Sequence, residues 1–256
     1  MLANMVSVGN RLVDVGCDHG FLSIYLVQQK ICPGALAMDV RKGPLAAAQA
    51  HVRECGLQDY IETRLSDGLK AFVSGEAETL VCAGMGGPLM ERILTDSFEK
   101  VKTLKELILQ PQSEIKEFRQ FLRESGFVVT DENAVIDEGK YYFAMKVVWR
   151  ENGAGKCAET MQETGQPETE RVKLQDLYAE SSDEANAGTQ LLYDRYGEKL
   201  LTAGHPVLRA YLEQRREHLQ GVLAQLSSAN SPKAVMRIPE VEAELATVLD
   251  ALAYFA

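Results

Sequence analysis

The chain predicts an α/β fold: a mostly parallel seven-stranded sheet between helices, closed by an antiparallel hairpin and followed by a smaller helical domain. Three features predict it. Between Arg11 and Val101 short apolar runs alternate with longer periodic ones, as strands joined by helices across a parallel sheet do. From Phe127 to Trp149 two β-branched and aromatic runs flank Asp137-Glu138-Gly139-Lys140, the pattern of a hairpin at a sheet edge. After Pro206 the apolar residues step by four and three through two segments, the pattern of paired helices.

The elements follow in order. Arg11 to Val15 reads as the first strand, the turn Gly16 to Gly20 follows, and Phe21 to Gln28 is helical. Pro33-Gly34 breaks the chain before a second strand, Ala35 to Val40. Gly43-Pro44 opens an alanine-rich helix, with Pro44 suited to the first helical position and Gly56 to its end. Ile61 to Leu65 is the third strand and precedes Ser66-Asp67-Gly68. Thr79 to Ala83 is the fourth and precedes Gly84-Met85-Gly86-Gly87, after which Pro88 starts a helix to about Leu94. The fifth strand, Glu106 to Leu109, leads into Gln110-Pro111-Gln112, and Ser113 is expected to cap a helix with Lys116, Arg119 and Arg123 on its outer face. Residues 1–150 form one domain on this reading, 151–190 an acidic polar linker or insertion, and 191–256 the helical domain. In the last, Leu208, Leu212, Leu219, Val222 and Leu226 form one stripe and Val241, Leu245, Val248, Leu252 and Phe255 a second, beginning after Pro239. Asn230-Ser231-Pro232 between them predicts that they fold back as an antiparallel pair, in a monomer or a weak dimer.

Composition narrows the function classes. The 256 residues are 46% hydrophobic and 25% charged, as a globular chain with a sizeable core is, and no stretch reaches the roughly 18 apolar residues of a membrane span. Met1 to Asn10 lacks the basic flank and apolar run of a secretory signal, so a cytoplasmic protein is expected. Five cysteines without a CxxC pair argue against a disulfide framework or zinc ribbon, and the isolated histidines His51, His205 and His218 against a metal site. The net charge of −10 divides unevenly, −3 over residues 1–150 and −7 over 151–256. Within the latter, residues 151–190 hold nine acids against three bases, whereas 193–239 hold seven bases against four acids, which leaves room for a cationic face. Nucleophile-elbow, Walker-loop and zinc-deaminase patterns are absent, which removes hydrolases, P-loop kinases and deaminases as leading readings.

The residues that can carry chemistry cluster at strand ends, where open α/β sheets bind ligands. Asp14-Val15-Gly16-Cys17-Asp18-His19-Gly20 ends the first strand: Gly16 allows a sharp turn close to a ligand, and Gly20 a tight helix start. Two acids in this loop suit a cationic ligand better than the pyrophosphate of a nicotinamide cofactor. Asp39, 25 residues after Asp14, ends the second strand where an acid accepts both ribose hydroxyls, and Val40 follows it. Asp67, between Ser66 and Gly68, reads equally as a plain loop acid or as an acceptor from an adenine amine, with Leu69 covering the ring. Ala83-Gly84-Met85-Gly86-Gly87 has no amide or carboxylate with which to grip an exocyclic amine; it offers backbone groups and room for a flat group. His19 reads equally as a packing residue or a proton carrier.

DVGCDHGFL (14–22), DVRKGPL (39–45), RLSDGL (64–69), AGMGG (83–87), LQPQSE (109–114) and EGKYY (138–142) together resemble, in this order, the bacterial tRNA adenine-N1 methyltransferases of the TrmK family. The five βα steps and terminal hairpin likewise resemble the class I, Rossmann-like methyltransferase architecture. The resemblance is dense over residues 3–150 and looser beyond, where the family has a coiled-coil-like C-terminal domain; the family's first helix begins before the position of Met1. It implies S-adenosylmethionine as cofactor, tRNA as partner and methyl transfer to N1 of the adenosine at position 22. Asp14, Gly16, Cys17, Asp18, Gly20, Asp39, Val40, Ser66, Asp67, Gly68, Ala83 and Gly84 would then bind the cofactor. Asp18, His19, Gly84, Met85, Gly86 and Gly87 would border the reacting atoms, with Asp18 or His19 accepting an N6 proton and Tyr141 or Tyr142 stacking on a base. Arg41, Lys42, the Lys116/Arg119/Arg123 face, Lys140 and the Arg195 to Arg216 segment are candidate RNA contacts. Two other readings stand beside this one: a methyltransferase with a small-molecule or protein acceptor, and a non-catalytic nucleotide-binding scaffold.

Overall fold

The computed structural model describes residues 1–150, 187–229 and 231–256, so most of the expected acidic segment 151–190 lies outside the described residues. Two compact units divide the chain, Met1–Ala154 and Gly155–Ala256.

The first unit is built on seven strands: β1 (Leu12–Val15), β2 (Ala35–Asp39), β3 (Ile61–Leu65), β4 (Thr79–Met85), β5 (Glu106–Pro111), β6 (Phe127–Asp137) and β7 (Lys140–Trp149). Their order in the sheet is β3-β2-β1-β4-β5-β7-β6, with β1 to β5 parallel and β7 antiparallel to both neighbours. Strands β1, β2 and β5 are buried along their whole length, which explains their nearly unbroken apolar runs. Alternate side chains enter two cores. Val13, Val15, Leu36, Met38, Leu80, Leu107 and Leu109 pack with Met90, Ile93 and Leu94 of α3 (Gly87–Asp96) and Phe118 and Leu122 of α5 (Ile115–Glu124). Leu12, Ala35, Ala37, Val81 and Ile108 pack with Ile24 and Val27 of α1 (Phe21–Gln28) and Leu45, Ala48 and Val52 of α2 (Lys42–Glu54). A short helix, α4 (Phe98–Val101), precedes β5.

The hairpin turn lies where the sequence puts it. Glu138 and Gly139 have φ of 46° and 77°, the pair of left-handed residues that a two-residue turn between twisted strands requires. The register of β7 on β5, Leu107 opposite Val147 through Leu109 opposite Met145, sets Phe143 level with Pro111 at the end of β5, so Lys140 to Tyr142 project past it. That overhang lies at the carboxyl edge of the parallel strands.

Several local expectations are corrected. Helix α2 begins at Lys42, with Arg41 as its N-cap, so Pro44 sits inside the first turn, where no helical hydrogen bond needs its missing N–H. Strand β4 continues through Gly84 to Met85, with a register shift against β5 between Ala83 and Met85. The N-cap of α5 is Glu114 at φ 48°, without a side-chain cap bond, rather than Ser113. Arg119 is not on the outer face: it is buried against Glu132 of β6, with its Nε donating to Oε1 at 3.0 Å.

In the second unit residues 187–196 are helical (α6), so among the described residues helix already occupies 187–190, which composition assigned to the linker. Then follow α7 (Glu198–Thr202), α8 (Pro206–Ser228) and α9 (Pro232–Leu252). His205 and Ser231 cap the two long helices by accepting from the N–H groups of Val207 and Ala234. Leu208, Leu212 and Leu219 of α8 and Val241, Val248 and Ala251 of α9 are buried. Arg215 bonds Glu244 at 2.6 Å; the two lie at similar distances from the intervening turn, as antiparallel helices require. The second long helix contains Pro239, losing one backbone bond, and its buried positions begin ahead of that proline, at Ala234, as well as beyond it, at Val241.

Candidate active site

A cavity of about 580 Å³ opens at the carboxyl edge of β1, β2, β3 and β4. That is the size range of sites for cofactors and other small molecules. Gly16 makes the first wall. Its φ of 76° is left-handed, and a Cβ there would collide with the end of the Met85 side chain, so the turn needs glycine. The N–H groups of Gly16 and Cys17 both donate to the Met38 carbonyl, tying this turn to β2.

Asp39 is the best-fixed acid of the cavity. It is 4% exposed; Oδ1 accepts from the Arg41 N–H at 2.8 Å and Oδ2 from the Asp18 N–H at 3.2 Å. Each oxygen has one further lone-pair direction, so the carboxylate can take two more donors spaced like a ribose diol. Ser66 shapes the next wall, donating to the Gly68 carbonyl at 2.7 Å and accepting from the Ala71 N–H. Asp67 lines the cavity with its carboxyl below the usual range, chiefly through its hydrogen bond from Lys70, with Arg92 nearby. Apolar surface for a flat ring comes from Val40, Leu89 and Ile93, which all line the cavity. Leu69 does not cover that ring: it is 1% exposed and belongs to the sheet core.

Of the residues read from sequence, Gly16, Asp18, Asp39, Val40, Ser66, Asp67, Gly68, Ala83, Gly84 and Met85 line this one space. Asp14, Cys17, His19, Gly20, Gly86 and Gly87 do not. Asp14 sits behind the turn and accepts from Ser23 Oγ at 2.8 Å. Burial pushes its carboxyl up to about 6, against the Ser23 bond, and Asp39 adds to the rise. Cys17 is buried beside these acids; desolvation, then Asp14 and Asp39, push its thiol up to about 12, leaving a neutral thiol rather than a nucleophile. The exposed ring of His19 lies against Phe21, with Nε2 3.7 Å from Asp18. Gly20 is the left-handed N-cap of α1, where a Cβ would press on Ala48 of α2. Gly86 and Gly87 meet the loop after β5: a Cβ on Gly87 would lie 2.8 Å from the Ser113 carbonyl oxygen. They are required by close packing of α3 under that loop.

Val15, Arg41, Leu89, Arg92 and Ile93 were missed as lining residues. Leu89, Arg92 and Ile93 stand at i, i+3 and i+4 on α3, so helical spacing from Pro88 was the available signal. Among the described residues no cluster of three or more His, Cys, Asp or Glu could hold a metal ion, and no helix is long and apolar enough to cross a membrane.

Strand order, an antiparallel seventh strand and an acid-bearing cavity at the carboxyl edge of β1 and β2 define a Rossmann-like methyltransferase fold. The chain belongs to the methyltransferase-domain family, which it matches over residues 1–145. It is 33% identical over 141 residues to the tRNA (adenine(22)-N(1))-methyltransferase of Bacillus subtilis strain 168, covering 55% of this chain and 59% of that one. The chain thus spans about three-fifths of the length of the curated relative it matches. A Streptococcus pneumoniae putative tRNA (m1A22) methyltransferase has a crystal structure similar over 98% of this chain and 96% of its own, with TM-score 0.74 and 26% identity. A second structure of that protein, in complex with S-adenosyl-L-methionine, gives TM-score 0.72 at 26% identity, covering 98% of this chain and 96% of that chain.

Proposed function

We propose that this protein transfers a methyl group from S-adenosylmethionine to N1 of the adenosine at position 22 of tRNA, in the cytoplasm. The observation that carries the reading is Asp39: a buried carboxylate, held by two backbone N–H groups, with an acceptor direction left on each oxygen at the edge of a cavity large enough for a nucleoside. The Bacillus subtilis relative, named for this reaction, is aligned over 141 residues.

In this reading Asp39 holds the ribose hydroxyls, Val40, Leu89 and Ile93 flank the adenine, and Asp67 accepts from its amino group. Gly16 and Gly68 let the backbone approach, Ser66 holds the turn beside Gly68, and Ala83 and Gly84 line the β4 side. The carboxylates of Asp14, Asp18 and Asp39 make the region around the turn favourable to a cation. When bound, the cofactor supplies a methyl on a sulfonium; as N1 forms its bond to that carbon, the C–S electron pair returns to sulfur. N1 has an in-plane lone pair, so the protein's task is alignment and exclusion of water more than base catalysis. The methylated ring is cationic until its N6 proton leaves, and Asp18, 58% exposed at the cavity mouth, is placed to accept it.

N1 lies on the pairing edge, so the base must be turned out to reach the cavity. The overhanging hairpin puts Lys140 and the half-buried Tyr141 and Tyr142 at the same edge of the sheet, with exposed Arg41 and Lys42 at the β2 end. Those groups suit phosphate and base contacts. Buried in its ion pair, Arg119 is withdrawn from the RNA candidates.

The test is methylation of transcribed tRNA with the modified position mapped. Product at N1 of position 22, lost when that adenosine is replaced by guanosine, is expected. Methylation of a protein or small-molecule acceptor with inert tRNA would overturn the reading.

A further inference from the structure

The loop after β4 contains no side-chain amide, yet a nucleobase presented for attack at a ring nitrogen must be held by its other edge. The structure brings a carboxamide to that loop from the next strand. Gln112 follows β5, and its backbone N–H donates to the Met85 carbonyl at 2.8 Å, which ties it to the end of β4. Its Nε2 lies 3.7 Å from where a Cβ on Gly84 would stand, so the absent side chain of Gly84 leaves room beside the Gln112 amide. The neighbouring Gln110 cannot play this part. It is 6% exposed, its Oε1 accepts from the Gly84 N–H and its Nε2 donates to the Pro111 carbonyl, so it fixes the β4 end while Gln112 remains exposed.

We propose that Gln112 reads the edge of the target adenine opposite the attacked nitrogen, its Oε1 accepting from N6–H and its Nε2 donating to N7. This rests on the function proposed above and adds the group that selects and orients the acceptor. A carboxamide is the side chain whose donor and acceptor match adenine N6 and N7 together, and this pairing leaves N1 free to face the methyl group. Guanine presents acceptors at both O6 and N7, so the same carboxamide rejects it with one unmatched contact. Gln112 is thus a specificity-determining residue.

The test compares the full-length wild type with Gln112→Ala and Gln112→Glu on two tRNAs, one with adenosine and one with 7-deazaadenosine at the target position. S-Adenosylmethionine affinity is measured on each protein by calorimetry. The wild type should lose roughly tenfold in kcat/KM on the 7-deaza substrate. Gln112→Ala should lose roughly 10- to 100-fold on adenosine and little more on the 7-deaza substrate, with cofactor affinity unchanged. Gln112→Glu, which keeps the acceptor for N6–H but sets a second acceptor against N7, should lose at least as much on adenosine as the wild type loses on the 7-deaza base. Unaltered kcat/KM in Gln112→Ala, or a full 7-deaza penalty persisting in it, would overturn the proposal. A wild type that binds cofactor but methylates no tRNA adenosine would instead overturn the parent reading, and this one with it.

Discussion

Two carboxylates buried in one sheet, Glu106 at its amino edge and Asp14 near its carboxyl edge, have opposite surroundings. Burial alone would raise the Glu106 carboxyl, but Lys146 at 2.8 Å, the hydroxyl and N–H of Ser7 and the Thr79 hydroxyl hold it below its usual range. The Lys146 ammonium is itself completed by the Met5 carbonyl and Ser7 Oγ. Asp14 has the Ser23 hydroxyl and a second carboxylate nearby, and its carboxyl rises to about 6. The amino edge is a closed, satisfied network; near the carboxyl edge the burial of Asp14 is offset by the Ser23 hydroxyl alone, beside left-handed glycines at Gly16, Gly20, Gly68 and Gly84. The difference lies in the partners: an ammonium and several donors surround the acid at one end, and a single hydroxyl meets the acid at the other.

The largest expected effect breaks the closed edge. Glu106→Gln leaves the Lys146 ammonium without its counter-charge and should cost about 3 kcal/mol in urea unfolding of the full chain, with cofactor affinity unchanged. A loss below measurement would mean that the network is incidental.

Asp14→Asn sharpens the other side. A native carboxyl raised from 3.8 to about 6 penalises the folded state once ionised; the penalty is absent below the lower value and complete above the higher. The variant's advantage over the wild type should therefore grow between pH 4 and 7, to about 3 kcal/mol. A pH-independent difference would show that Asp14 is not strained.

Gly87→Ala tests whether the carboxyl edge depends on close backbone approach. A Cβ 2.8 Å from the Ser113 carbonyl must displace the loop that carries Gln112, for about 1–2 kcal/mol of stability and a larger loss of acceptor turnover than of cofactor affinity. Unchanged stability together with unchanged turnover would refute it. Smallest is Arg215→Ala in the second unit. Its pair with Glu244 is about one-third exposed on each side, so the loss should be below about 1 kcal/mol, and more would reveal a structural role for the pair.

The sheet was legible because its signals are local: unbroken apolar runs for strands buried on both faces, glycine and proline between them, and a turn whose residues accept left-handed backbone. What was not legible depends on partners distant in sequence. Arg119 looks like a surface cation on its helix until Glu132 of β6 is placed against it. The stripe read from sequence begins after Pro239, and only the fold shows Ala234 buried ahead of it on the same helix. The cavity's strand-end acids could be read from spacing, because each follows a strand. Leu89, Arg92 and Ile93 follow no strand and needed the further step of helical spacing from Pro88, since a helix face brings them to the site. Gly86 and Gly87 were visible as glycines, but their reason, the Ser113 carbonyl and hydroxyl, lies in another loop.

The central claim is that the carboxyl edge is a cofactor site centred on Asp39. Calorimetric titration of S-adenosylmethionine into the wild type and Asp39→Ala tests it most directly, with unfolding midpoints confirming that both are folded. Saturable one-to-one binding by the wild type, weakened roughly 100-fold or more by loss of two charge-assisted hydrogen bonds, is the predicted result. No binding by the wild type, or equal binding by the variant, would contradict it.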